Sequence, residues 1–535
     1  MSGMSSMKRA RRQYISGAML AVLLAVLLCL FPKPENDLFF ELRTGTDILN
    51  SGHLPHRDTY SWVRYSTPWT VPEWLAFVVY AAAFRGGGFF GTWLVLAGLT
   101  AATALVAYGW LARRSGRVWA FPLTALLLVG MKESVQERPY AYTYFLLSVS
   151  LPLVLRARAG RPKLLLWLLP ICVLWTNLHQ GVVVLVGLLF MLAAGDALTA
   201  IAQWLRARQL SPDLLTAAGR AQEEAARRSI KVQLAGAWRM AATGAACVGA
   251  AMVSPYGWHV YENIWVTLRS PSLMANVTEW NPSTTLPLLQ WQPFLLAAAV
   301  VFGSVLFSRR RNFADTLVVL ALFAEALLHA RNIALFAVGG LIVAAPHFPS
   351  ALSQARRALG LRVTVPRWLT AAFAVALVGM TALAAGVALR PALGPKGVSP
   401  EGIGEAVVRL NDYPAQACAF MDAERLPTNL RLLNDFEAGG YLLWRRPHQR
   451  VFTDGRLDVY VGSAFDDMVT LSRTPGSHAW AALVKKYDFD AVLTSNPRQA
   501  AAFAARPDWA LVYVDPRRPG HPRFRLLLRR DRTTP

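Results

Sequence analysis

The sequence predicts a polytopic α-helical membrane protein, with about eleven transmembrane helices and a small C-terminal α/β domain outside the membrane. Three observations predict it. Hydrophobic residues make up 54% of the 535 and charged residues only 16%, against about 25% charged in a soluble domain. Mean hydropathy is +0.33, and the apolar residues fall in many separate runs, which excludes a disordered, fibrous or single-anchor protein. The third observation is where the charge lies. Lys and Arg number 55 against 32 Asp and Glu, a net charge of +23. The excess sits in short clusters between apolar runs: Lys8, Arg9, Arg11, Arg12; Arg113, Arg114, Arg117; Arg156, Arg158, Arg161, Lys163; Arg309, Arg310, Arg311; Arg356, Arg357, Arg362, Arg367. Clusters nearly free of acid are the mark of cytoplasmic loops. Nucleic-acid binding, which needs one basic folded face, is set aside.

The elements follow in order. The first apolar run, 14–31, comes after a basic start and is followed by Phe31-Pro32-Lys33-Pro34 in place of a small-residue cleavage site. It is therefore expected to be an uncleaved span with a cytoplasmic N-terminus. Further spans are expected near 88–112, 118–131, 140–156, 164–177, 179–204, 236–253, 289–307, 314–329, 333–348 and 368–390. That number places every basic cluster on one side of the membrane. The acid-bearing segments 32–87, 132–139, 254–288 and the C-terminal tail then fall outside. Segment 205–235 is a polar cytoplasmic loop with helical content. The transmembrane domain is expected over 1–390. From 391 to 535, β-type runs at 430–433, 450–453, 491–494, 511–514 and 524–528 alternate with helix-like stretches at 464–473 and 478–487. This is the pattern of an α/β domain. The four cysteines (Cys29, Cys172, Cys247 and Cys418) have no CxxC spacing and indicate neither zinc nor a disulfide framework.

The loop 32–87 holds the most chemistry. A connection needs only a few residues, yet this one runs to some forty and more, with carboxylates among aromatic residues. Asp37 and Glu41 are four apart and share a helix face. Acidic groups beside aromatics at the bilayer surface suit a pocket for a polar substrate. An interfacial amphipathic helix with aromatics at headgroup level is the competing explanation.

The chain resembles the GT-C glycosyltransferases, which include protein O-mannosyltransferases, oligosaccharyltransferases and lipid A aminoarabinose transferases. The likeness is carried by Asp37…Leu42-Arg43-Thr44-Gly45…Gly52-His53-Leu54-Pro55…Asp58…Ser61 and Glu73-Trp74-Leu75. It is carried further by Trp175-Thr176-Asn177-Leu178-His179-Gln180-Gly181, Ser254-Pro255-Tyr256-Gly257-Trp258, Glu279-Trp280-Asn281-Pro282, Gly439-Gly440-Tyr441-Leu442 and Asp454-Gly455-Arg456-Leu457-Asp458-Val459-Tyr460. It is similar in particular to bacterial membrane proteins of that superfamily. Pro72 stands before Glu73 where the pattern has His, and Gln180 stands where Gly is commoner.

The resemblance implies transfer of a sugar from a polyprenyl-phosphate-linked donor to an acceptor on the outer face of a bacterial inner membrane. Lipids and the lipid-linked sugar are the implied partners, and the acceptor is left open. Asp37 is the first candidate for the base, with Glu41 and Asp58 as alternatives; a general base needs hydrogen-bond reach to the proton it takes. Arg138, Arg331 and Arg43 are candidates for the leaving phosphate, where a guanidinium can bind two oxygens. Glu73 and Glu279 join them as substrate-binding candidates. His179 and Asn177 either contact donor or acceptor or cap a tight turn between spans. Glu325 and His329, four apart in a span, could pair. Asp454-Gly455-Arg456 reads as a turn with an internal Arg–Asp pair, with a catalytic Asp454 or Asp458 as the alternative. No metal cluster is readable in the spacing. A divalent cation, held by loop acids in some relatives, is a possible cofactor. A transporter or flippase, or a non-catalytic assembly protein, are the alternative functions.

Overall fold

Runs of Leu, Val, Ala and Phe with few polar interruptions form helices that are apolar all round, as membrane or deeply buried helices are. A computed structural model describes residues 2–30, 36–210, 216–309, 312–360, 366–390, 393, 396–516 and 520–530. Phe31-Pro32-Lys33-Pro34, Arg310, Arg311 and Arg362 lie outside the described residues. The chain divides into two compact units.

The first unit comprises 1–33, 96–255 and 279–387. Among the described residues, four helices are long and apolar enough to cross a membrane: Arg11–Leu28, Trp74–Arg114, Val182–Arg208 and Trp368–Val387. A fifth would be the pair Ala330–Ala344 and Phe348–Ala358, bent by 78°. The other expected spans are shorter or more polar. Arg117–Met131 has 15 residues and Phe313–Leu328 has 16. At 1.5 Å per residue these reach about 24 Å, under the ~30 Å of a hydrocarbon core. The expected loop 205–235 is largely helix. Val182–Leu210 runs into it from one side, and Ala217–Ala251 continues through it into the next apolar run, its N-terminus capped by Thr216 Oγ1 accepting from the Gly219 N–H at 3.0 Å. Phe294, Phe302, Phe323 and Phe336 pack ring to ring at 5.0–6.5 Å around the buried helix Ile333–Ala344.

The second unit comprises 34–95, 256–278 and 388–535. The long loop after the first apolar helix therefore belongs with the C-terminal region. Its sheet has the order β1-β2-β4-β3, with β1 (Leu432–Asn434) parallel to β2 (Ala491–Thr494), and β4 (Arg525–Arg529) antiparallel to both β2 and β3 (Trp509–Val514). Four expected strands are present. The fifth, 450–453, forms only an isolated bridge, Val451 with Ser61. The helices Ser463–Arg473 and His478–Tyr487 lie where their periodicity predicts. Phe452, Trp480, Phe489, Phe503, Trp509 and Leu527 make the core, and Trp62 packs against it while its Nε1–H donates to the Leu432 carbonyl at 3.1 Å.

Candidate functional site

Within the second unit, Asp37 opens the helix Asp37–Ser51. A carboxylate in the first turn is favoured by the helix dipole. The helix ends at Gly52, whose φ of 69° is open to glycine and whose N–H donates to the Ile48 carbonyl. Its apolar face is anchored by Phe39, whose ring lies 4.5–6.1 Å from those of Tyr413, Tyr441, Trp444 and Phe89. Asp37 itself is half-buried and Glu41, one turn on, is buried. The Asp37 carboxylate lies directly against Gly455, where any Cβ would collide with Oδ1. Gly455 thus lets the segment 454–458 approach this carboxylate. Arg43 instead turns along its own helix and donates to Asp47 at 2.9 Å, and Tyr60 shares that Asp47 oxygen at 2.8 Å. Glu73 immediately precedes the helix that begins at Trp74, its carbonyl accepting from the Phe77 N–H at 3.2 Å.

Asp58 is fully buried and heavily engaged. Its Oδ1 accepts from the Tyr60 N–H at 2.9 Å and from Arg456 at 2.7 Å, and its Oδ2 accepts from the Ser61 hydroxyl. Arg456 also forks onto Asp454, at 2.8 and 2.7 Å, beneath the rings of Tyr60 and Trp69. The expected internal Arg–Asp pair of this turn is present. Asp58, its second carboxylate, comes from the first loop. Asp458 lies beyond this network and accepts from the Asn263 amide at 3.1 Å. Burial pushes its carboxyl up to about 6 from 3.8, against the pull of Arg456 and Asn263.

Within the first unit, four expected site residues come together. Arg138 donates to Glu279 at 2.7 Å. Arg331 lies between two rings, 4.5 Å from the centroid of Tyr140 and 4.5 Å from that of Trp280. His179 meets the other side of this group, its ring 4.7 Å from Tyr140. Its Nδ1 accepts from the Gly181 N–H at 2.9 Å and lies 2.7 Å from the Thr143 hydroxyl. In the neutral ring that places the proton on Nε2. The result is two guanidiniums held by an aromatic pair and one carboxylate, an arrangement suited to a phosphate-type anion. Tyr140 and Trp280 were missed by the sequence reading; the signal was an aromatic beside each arginine or glutamate candidate. Asn177 has a structural task, donating to the carbonyls of Val173 and Val253 at 2.8 and 3.0 Å. Glu325 and His329 do not pair: Glu325 accepts from Asn332 at 3.2 Å and the His329 ring meets the Trp280 carbonyl at 3.0 Å.

A divalent cation needs several oxygen or nitrogen ligands converging on one point. Among the described residues, no three His, Cys, Asp or Glu side chains do so.

No family model and no curated protein matches the sequence. Solved structures do match. The oligosaccharyltransferase of Archaeoglobus fulgidus, in its apo form, aligns over 92% of this chain and 71% of its own, at 13% identity with a TM-score of 0.52. The same enzyme in complex with an inhibitory peptide and a dolichol-phosphate aligns over 90% and 69%, at 13% identity with a TM-score of 0.53. The chain shares the fold of that oligosaccharyltransferase. ArnT from Cupriavidus metallidurans, bound to undecaprenyl phosphate, covers 96% of this chain and 97% of its own at 14% identity, with a TM-score of 0.48. At these identities the likeness is one of fold alone.

Proposed function

We propose that this GT-C protein is a glycosyltransferase that moves a sugar from a polyprenyl-phosphate-linked donor to an acceptor on the extracytoplasmic face. One observation carries the reading: Asp37, at the head of the first helix after the first apolar helix, is a carboxylate positioned by an aromatic anchor and by a glycine that leaves it room. The fold's solved relative was captured with a dolichol-phosphate, which supports a lipid phosphate as the leaving group.

In this mechanism Asp37 takes the proton of the acceptor hydroxyl as its oxygen attacks the anomeric carbon. The bond from that carbon to the phosphate oxygen breaks, and the lipid phosphate leaves with the electron pair. Within the first unit, Arg138 and Arg331, oriented by Glu279 and by the Tyr140–Trp280 pair, are the candidates for a lipid phosphate. Glu41 lines the same helix face as Asp37 and is kept as a secondary acid. Asp58 is assigned to holding Arg456 in place of a catalytic role. Arg43 and Glu73 are assigned to shaping the surroundings of Asp37 in the second unit, and Asn177 and His179 those of the arginine pair in the first. The reading includes about eleven spans, a transmembrane part over 1–390, an extracytoplasmic C-terminal part over 391–535, a cytoplasmic N-terminus and residence in a bacterial inner membrane.

The test is transfer from a panel of polyprenyl-linked sugars by the full chain in proteoliposomes. Asp37→Asn is expected to lower transfer by about 10²–10⁴-fold, the usual worth of a positioned base. Gly455→Ala, which crowds the same carboxylate, is expected to act in the same direction. Undiminished transfer by Asp37→Asn removes Asp37 from the role, and absence of transfer from every donor removes the class.

A further inference from the structure

A second polar site lies in the first unit, among residues of the basic clusters. Gly195 allows the helices Val182–Leu210 and Phe313–Leu328 to touch, because a Cβ there would strike the backbone of Ala314. The next residue on each helix is an aspartate. Both reach Arg158, Asp196 at 2.5 Å and Asp315 at 2.7 Å. Asp315 Oδ2 also accepts from Asn312 at 2.8 Å and meets His347 Nε2 at 2.8 Å. His347 stands at the 78° bend between Ala330–Ala344 and Phe348–Ala358.

Two features mark this cluster as more than a structural ion pair. His347 is 4% exposed, and its Nδ1 has no hydrogen-bond partner. A buried polar atom left this way is costly. The same ring lines a cavity of about 390 Å³ together with Arg114, Arg158, Arg239, Asp196 and Asp315, a volume within the ~300–1,000 Å³ of small-molecule sites. Arg158 and the ring engage the two aspartates, while Arg114 and Arg239 are exposed and bring two further positive charges. Ionisable groups held on apolar helices are a functional hypothesis by default.

We propose that this cavity binds a phosphate group. Its oxygens would lie against Arg114 and Arg239, with one completing the bonding of His347 Nδ1. A free phosphate compound and a phosphate-bearing lipid headgroup present the same chemistry. The site is separate from the Arg138–Arg331 group assigned to the donor phosphate.

The experiment uses the full chain in neutral detergent. One arm titrates inorganic phosphate by calorimetry, with chloride at matched ionic strength as the blank. A second titrates mixed micelles carrying phosphatidic acid against micelles of phosphatidylcholine. Binding is expected in at least one arm: heat in the first points to a free phosphate compound, and heat in the second alone points to a lipid headgroup. The double variant Arg114→Gln with Arg239→Gln, both at exposed positions, is expected to weaken it about tenfold or more, the worth of a charged hydrogen bond. His347→Gln is expected to weaken it as well. Arg227→Gln, at an exposed position outside either arginine group, is expected to leave it unchanged. Absence of binding in both arms, binding undiminished in either folded variant, or binding lost in Arg227→Gln overturns the proposal.

Discussion

Two arginines, one in each unit, are built alike and end differently. Arg456 and Arg158 each sit between two aspartates, one nearer in sequence and one far away. Around Arg456 the network is closed: side-chain exposure is 1% for the arginine and 0% for both aspartates, and Tyr460 adds its hydroxyl to Asp454 at 2.8 Å. Around Arg158 the arginine is 17% exposed, and the network opens on a cavity with a histidine nitrogen unpartnered and two more arginines beside it. A closed network spends its charge on holding the chain. An open one has charge left over, and that surplus is what a ligand can use.

The comparison is broken if the two arginines cost the same to remove. Arg456→Met strands two buried carboxylates, and a loss of about 3–5 kcal/mol in unfolding free energy is expected, as for other broken buried pairs. Arg158→Met takes the arginine from Asp196 and from Asp315, but Asp315 keeps Asn312 and His347 and water from the cavity can reach both, so roughly half that loss is expected. Chemical denaturation in detergent, followed by near-UV circular dichroism, measures both. Equal losses would mean that the cavity gives the first-unit aspartates no access to water.

The outline of this difference was only partly legible in the sequence. Strands at 491–494 and 524–528 and the helix at 478–487 were readable because alternation and 3.6-residue periodicity are local. The stretch 450–453 has strand composition but forms only an isolated bridge, with Ser61, among the described residues, so composition alone misled. The Arg–Asp pair of 454–456 was readable from spacing, whereas Asp58 could not be tied to it, since its partner is 398 residues away. Asp58 therefore looked like a catalytic acid. The cluster around Arg158 was missed because Arg158 was counted with a basic loop. Asp196, an acid inside an apolar run, was the available signal. Of the donor-site candidates, Arg138, Arg331, Glu279 and His179 share one place because loops at the ends of several helices converge there, which no single segment encodes.

Asp458 sharpens the account of the closed network, because it stands just outside it. Its folded carboxyl is raised from 3.8 to about 6. The folded state then holds the proton more tightly than the unfolded chain does. That contribution is complete below about pH 4 and is lost as the pH rises through about 6. Asp458→Asn removes the titration while keeping an oxygen for Asn263. Near pH 4 the variant should match the parent, and at pH 7 it should be more stable by about 1–2 kcal/mol, the full shift being discounted for partial exposure. Melting temperatures of the two proteins from pH 4 to 7 measure this. Parallel curves would show that Asp458 is solvated enough to titrate normally.

The smallest effect belongs to an ion pair with neither burial nor a cavity. Arg227 meets Glu223 one turn earlier on the Ala217–Ala251 helix, at 2.6 Å, with the arginine side chain 74% exposed. Its geometry is as short as that of the buried pairs, and distance alone would rank it beside them. Water and salt screen it, and holding two long side chains in register costs entropy, so Arg227→Ala is expected to change stability by only about 0.3–0.5 kcal/mol. The change should fade further in 0.5 M salt, since the Debye length there is only ~4 Å. A loss comparable to that of Arg158→Met would mean that hydrogen-bond distance outweighs burial in setting the worth of a charge here, and the distinction between closed, open and exposed networks would fall with it.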